Sequence, residues 1–148
     1  PPLRSETDQT ALCQALAQGL IDIIASDHAP HGLVDKAVEF DQAASGVIGL
    51  QTTVAVTLRL VNDGIISANR WVESLTANPA KLLNLNSGTL KPGSEGDITI
   101  IDPNKTWKFS DSDILSKSHN SPFLGWELKG RVKYTIIGGE IVFGKTHE

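Results

Sequence analysis

This 148-residue chain contains no methionine, a single cysteine, one tyrosine and only 5% aromatic residues. One cysteine, Cys13, excludes an internal disulfide, and its setting in Ala11-Leu12-Cys13-Gln14-Ala15-Leu16-Ala17 makes it a small apolar residue of a helix. Sparse cysteine fits a cytoplasmic location. No apolar run approaches the ~18 residues that a membrane span needs, and no secretory signal, internal repeat or low-complexity tract is visible. Basic residues are scattered singly, 13 against 17 acidic ones for a net charge of −4, with a pI near 5.5. That balance argues against nucleic acid or an anionic membrane as partner. Trp71, Trp107 and Trp126 lie too far apart for a nucleotide-stacking platform and are expected to pack. The chain opens at Pro1-Pro2-Leu3-Arg4 without a start methionine, which reads as a piece whose functional machinery lies partly upstream.

What is present suffices for a core: 40% hydrophobic residues in a length typical of one domain. Residues 6–18 read as a helix, acidic at its first turn, with Leu12, Cys13, Leu16 and Ala17 on one stripe and Gly19 as its cap. The apolar run Leu20-Ile21-Asp22-Ile23-Ile24-Ala25-Ser26 reads as a buried strand ending at Asp27. Helix, glycine, buried strand and loop in that order are the grammar of a parallel α/β sheet. Residues 31–45 read as an irregular loop over the strand end. A helix is expected over 49–62, ended by Asn62-Asp63-Gly64. A second, capped by Ser67, runs through Leu75 with Trp71 and Val72 facing inward. Asn78-Pro79-Ala80-Lys81-Leu82-Leu83 reads as a third, with proline in its first turn.

Near Asn86 the texture changes to turns and alternating strands. Asp97–Asp102 reads as a strand stopped by Pro103, and 106–109 as another. Residues 133–143 form a hairpin about Gly138-Gly139, with a loop-like stretch over 110–130 before it. The expected division is an α/β piece over 1–86 and a small β piece over 87–148, whose 110–130 loop returns toward the first.

The chemistry concentrates in Asp27-His28-Ala29-Pro30-His31. A carboxylate and two imidazoles at the carboxyl end of a strand occupy the place where α/β enzymes gather their active sites. Asp and His suit a divalent metal such as zinc, and an Asp beside such a metal can shuttle a proton. The alternative is a loop-capping Asp27 with solvated histidines, because three candidate ligands on one loop do not close a site. Arg4 either faces that rim or lies exposed beside the helix start. Ser45-Gly46 and Gly49 make a small-residue turn before a helix, either an N–H cradle for a carboxylate or carbonyl, or a plain connector. His119 and His147 are isolated and expected in solvent.

Several blocks resemble, in order along almost the whole chain, the C-terminal part of dihydroorotases of the longer bacterial type in the amidohydrolase superfamily. They are Pro1-Pro2-Leu3-Arg4, Ile24-Ala25-Ser26-Asp27-His28-Ala29-Pro30-His31, the stretch Glu39 to Leu50, Asn78-Pro79-Ala80, Gly93-Ser94-Glu95-Gly96-Asp97 and Ser121 to Gly130. Asn-Pro-Ala and the Gly-Asp block are general to the superfamily; the Asp-His-Ala-Pro-His and Ser-Pro-Phe-x-Gly-Trp blocks are far more specific. The resemblance implies the C-terminal portion of a (β/α)8 barrel with strands of a small β-sandwich. It implies zinc-dependent interconversion of N-carbamoyl-L-aspartate and L-dihydroorotate in pyrimidine synthesis. By the same resemblance Asp27, ending the eighth strand, is a zinc ligand and the catalytic acid/base. It takes a proton from the metal-bound hydroxide that attacks the ring carbonyl and passes it to the departing amide nitrogen. His31 binds the substrate carboxylate, the backbone at Ser45-Gly46 touches the ring, and His28 supports.

Many relatives carry Ala-Pro-Phe-Gly where this chain has Ala43-Ala44-Ser45-Gly46. The family's His-x-His, its bridging carboxylate or carboxylated lysine, two further histidines and an asparagine directly before Pro1 belong upstream. The piece alone is therefore expected to be inactive. Other implied readings are a dihydropyrimidinase, hydantoinase or allantoinase, or a non-catalytic partner of aspartate transcarbamoylase. The expected company is a small-molecule substrate, with a homodimer or a transcarbamoylase complex as the protein partner.

Overall fold

A computed structural model describes residues 4–144; Pro1, Pro2, Leu3 and His147, named above, lie outside the described residues. Helix α1 spans Glu6–Ala17. Ser5 caps it, accepting from the Asp8 N–H while the Asp8 carboxylate accepts from the Ser5 backbone, so two orphan N–H groups are satisfied reciprocally. Of the predicted stripe only Leu16 is buried; Leu12 and Ala17 are exposed and Cys13 is half-buried. The apolar stripe is present, but little of the described chain packs over it.

The segment 20–26 departs from expectation most clearly. It carries no regular secondary structure and joins no ladder among the described residues, Leu20 is exposed, and Ile21, Ile23 and Ile24 are only half-buried. A strand exists through the hydrogen bonds of its neighbours, and here side chains and a helix end take their place. Arg70 donates to the Leu16 and Ile21 carbonyls, Asn78 donates to the Asp22 carbonyl at 2.8 Å, and the Ile24 N–H donates to Ser74 O at 3.0 Å. One flank of the segment is thereby tied to the helices that follow.

Those helices are α2 (Leu33–Lys36), α3 (Thr53–Asn62), α4 (Ala68–Leu75) and α5 (Ala77–Leu82). The short α2 lies inside the stretch expected to be irregular. Ser67 caps α4 as expected, accepting from the Arg70 N–H at 3.1 Å. Trp71 is buried and donates to Thr57 Oγ1 at 2.8 Å, whereas Val72 points outward, a correction to the expected pairing. Adjacent helical residues diverge by about 100°, so an eight-residue helix with one covered face buries Trp71 or Val72, not both.

The β piece is an antiparallel sheet in the order β1 (Ile98–Lys108), β2 (Glu127–Ile137), β3 (Glu140–Phe143). Pro103 does not stop β1. The register with β2 breaks between Asp102 and Thr106, so the proline falls in a bulge and the two expected strands become one. In that bulge the Asn104 N–H donates to the Asp102 carboxylate, with Lys133 beside it, and together they hold the carboxyl below its usual range. The β2–β3 hairpin turns at Gly138-Gly139 as expected.

One apolar cluster ties both halves together: Ile48, Ala55, Phe109, Ile114 and Leu128, with Trp107 and Phe123 packed against it. Phe109 is fully buried and meets Trp107 edge to face at 5.8 Å. Phe109→Ala should lower unfolding free energy by about 3–5 kcal/mol, measured by chemical denaturation. A change below about 1 kcal/mol would mean that this cluster does not bind the halves. Among the described residues, no helix is long and apolar enough to cross a membrane.

Candidate functional site

Asp27 ends the 20–26 segment with φ +45°, a left-handed conformation that few non-glycine residues adopt and that Asp tolerates best along with Asn. This turn redirects the chain so that residues 28–31 run beside residues 45–49. His28 and Val47 form a parallel bridge, and the Ala29 N–H donates to Val47 O at 2.9 Å. The Gly49 N–H donates to His28 Nδ1 at 3.1 Å, so Nδ1 is the acceptor and a neutral His28 carries its proton on Nε2. His31 Nε2 lies 2.8 Å from the Ser45 carbonyl oxygen. A carbonyl only accepts, so Nε2 is protonated and Nδ1 remains for a further partner.

Two glycines set how closely these loops approach. A Cβ at Gly46 would stand 2.6 Å from Ala29 Cβ, and Gly46 has φ +122°. At Gly49 a Cβ would meet the Ser26 carbonyl oxygen at 2.8 Å. Neither position accommodates a side chain without moving backbone. The Gly49 N–H is occupied by His28, so the N–H cradle considered for this turn is closed at Gly49.

Of the residues singled out from sequence, His31, Ser45 and Gly46 meet, and Asp27 stands exposed four residues before His31. Arg4 is exposed, and its carbonyl accepts from Gln9 at 3.1 Å. His119 faces solvent and pairs with Asp111 at 2.9 Å. Two residues were not anticipated. Lys36 donates to the carbonyls of Ala44 (2.7 Å) and Gly46 (3.3 Å). Asn120 reaches in from the 110–130 segment and donates to Ala29 O (2.9 Å) and Gly46 O (3.2 Å). The signal for Asn120 was its place in His119-Asn120-Ser121-Pro122, where a small amide precedes a proline turn.

Among the described residues no group of three or more His, Cys, Asp or Glu side chains converges to hold a metal. Asp27 offers one exposed carboxylate, which fits a ligand contributed to a larger set and not a complete zinc site.

The profile of the Amidohydrolase family matches residues 2–142. A dihydroorotase of Geobacter metallireducens (strain ATCC 53774 / DSM 7210 / GS-15) is 50% identical over 143 residues, covering 97% of this chain and 34% of that protein. One from Syntrophus aciditrophicus (strain SB) is 48% identical over the same length and coverage. Among solved structures, L-hydantoinase (dihydropyrimidinase) from Arthrobacter aurescens superposes with a TM-score of 0.87 at 35% identity, covering 99% of this chain and 34% of that one. The chain thus spans about a third of the length of the relatives it matches.

Proposed function

The chain belongs to the amidohydrolase family, and we propose that it is the C-terminal third of a dihydroorotase that interconverts N-carbamoyl-L-aspartate and L-dihydroorotate. Its α/β arrangement with an open antiparallel sheet is part of a (β/α)8 amidohydrolase barrel plus strands of a smaller β domain. In this reading the segment 20–26 is a barrel strand. Residues 1–86 contribute to the barrel and 87–148 to the β domain, with the Asn120 segment returning to the site.

The observation that carries the proposal is identity of 48–50% to dihydroorotases along nearly the whole chain. The L-hydantoinase structure superposes over 99% of the chain but at 35% identity. The geometry leaves His31 one ring nitrogen for a ligand: Nε2 is spent on Ser45 and Nδ1 is kept. A carboxylate accepts only, so binding one through Nδ1 requires a ring protonated at both nitrogens.

In this reading Asp27 moves the proton: from the attacking water to its own carboxylate, then to the amide nitrogen that leaves the ring. Ser45 and Gly46 present backbone to the ring. Zinc, when bound, polarises the carbonyl and acidifies water. Asp27 would supply its carboxylate to hold it, together with ligands from the rest of the full-length protein. The reading carries with it a small-molecule substrate and a cytoplasmic setting.

The test is a substrate comparison with the full-length protein. L-dihydroorotate and N-carbamoyl-L-aspartate should turn over, and hydantoin and dihydrouracil should be poor. His31→Gln should raise KM for L-dihydroorotate by about 10–100-fold, the worth of a hydrogen bond to a charged group. Preference for the uncharged rings would replace this reading with a hydantoinase.

A further inference from the structure

We propose that Asn120 is the positioning residue that holds the two substrate-facing loops at their working separation; this rests on the function proposed above. Its side-chain amide is used almost completely on those loops. Both N–H donations go to backbone carbonyls, Ala29 on one loop and Gly46 on the other. Its Oδ1 faces the His31 N–H at 3.4 Å, and its own carbonyl accepts from the Ile48 N–H at 3.0 Å. One residue thus touches the backbone on both sides of the His31–Ser45 contact. It arrives from a segment 89 to 91 residues away in sequence from the first loop.

The chemistry singles out asparagine. Two carbonyl oxygens facing one side chain demand two donors on a single nitrogen, and the His31 N–H demands an acceptor beside it. Aspartate has the same shape, but it would set a carboxylate oxygen against the Ala29 and Gly46 carbonyls. Alanine leaves both carbonyls to water. Gly46 already abuts Ala29 so closely that no Cβ fits between them. The amide bridge and this contact therefore act together, one pulling the loops together and the other limiting their approach. Asn120 touches no reacting atom; it acts through His31 and Gly46, and a displacement of about 1 Å at such groups can cost about 100-fold in rate.

The experiment uses the full-length protein with L-dihydroorotate as substrate and compares N120D, N120A and H31Q, each with its melting temperature and zinc content. N120D should raise KM by about 10–100-fold and N120A by somewhat less, with smaller changes in kcat and zinc content held. That ranking separates the proposal from space-filling, for which the isosteric N120D would behave as wild type and N120A would be the worse variant. In the H31Q background, N120A should add less than about threefold to KM, because both changes remove the same grip. Hydrogen exchange at the His31 and Ile48 amides should accelerate in N120A. Wild-type KM in N120D, or full additivity with H31Q, would overturn the proposal while leaving the dihydroorotase reading in place. A wild-type protein that turns over no cyclic amide would overturn that reading, and this inference with it.

Discussion

Asp27→Asn in the full-length protein should cut turnover of L-dihydroorotate by about 1,000-fold, the mid-range for losing a general acid/base. Asn is the informative replacement. It keeps the size of the side chain and, like Asp, tolerates the φ of +45° on which the turn into His28 depends. Alanine would add backbone strain at that position and mix a folding defect with a chemical one. D27N should therefore retain its melting temperature and its loop contacts while losing the proton carrier. Zinc content should also fall, since an amide oxygen is a weaker donor than a carboxylate. Turnover above about a tenth of wild type would remove Asp27 from the proton path. A lowered melting temperature would instead mark the loss as structural.

The second large effect concerns the chain on its own. Residues 1–148 produced in isolation should show no turnover of L-dihydroorotate with zinc added at any ratio. Asp27 brings one carboxylate, and the described residues assemble no group of three ligands around it. The surface supports the same expectation. The chain exposes 10,520 Å², whereas a folded monomer of 15.9 kDa exposes roughly 7,400 Å² by the usual scaling. Large apolar side chains contribute to it: Phe40, Leu33, Val34 and Leu20 stand largely in solvent. The isolated chain should accordingly bind a hydrophobic dye and self-associate in sedimentation, whereas the full-length protein should do neither to that degree. Measurable turnover by the purified chain would refute the view that its active site needs residues from elsewhere.

The elements that were legible in the sequence share a physical cause. Ser67 caps a helix because a hydroxyl one residue before a helix meets an orphan N–H three residues on. Gly138-Gly139 turns a hairpin because its strands lie on either side of two residues that accept positive φ. Both outcomes depend on neighbours within four or five positions. The departures from expectation share the opposite cause. The 20–26 segment has the composition of a buried strand, but ladder and burial come from partners, and its described partners are Arg70, Ser74 and Asn78. Pro103 looked like a stop because its effect on β1 depends on whether β2 tolerates a bulge opposite it.

The site divides in the same way. Asp27, His31, Ser45 and Gly46 could be named from their residue types, their place after an apolar run and their resemblance to a family. Residue chemistry alone says which of them can carry a proton, accept one or let a loop pass close. Their meeting was another matter. That His31 reaches Ser45 fourteen residues away, that His28 occupies the Gly49 N–H, and that Asn120 spans both loops follow from packing around Phe109 and Ile48. Such contacts join segments by loop closure and burial, which act over distances no local pattern encodes. The residues of the site are therefore written in the chain, and their spacing is set by the core beneath them.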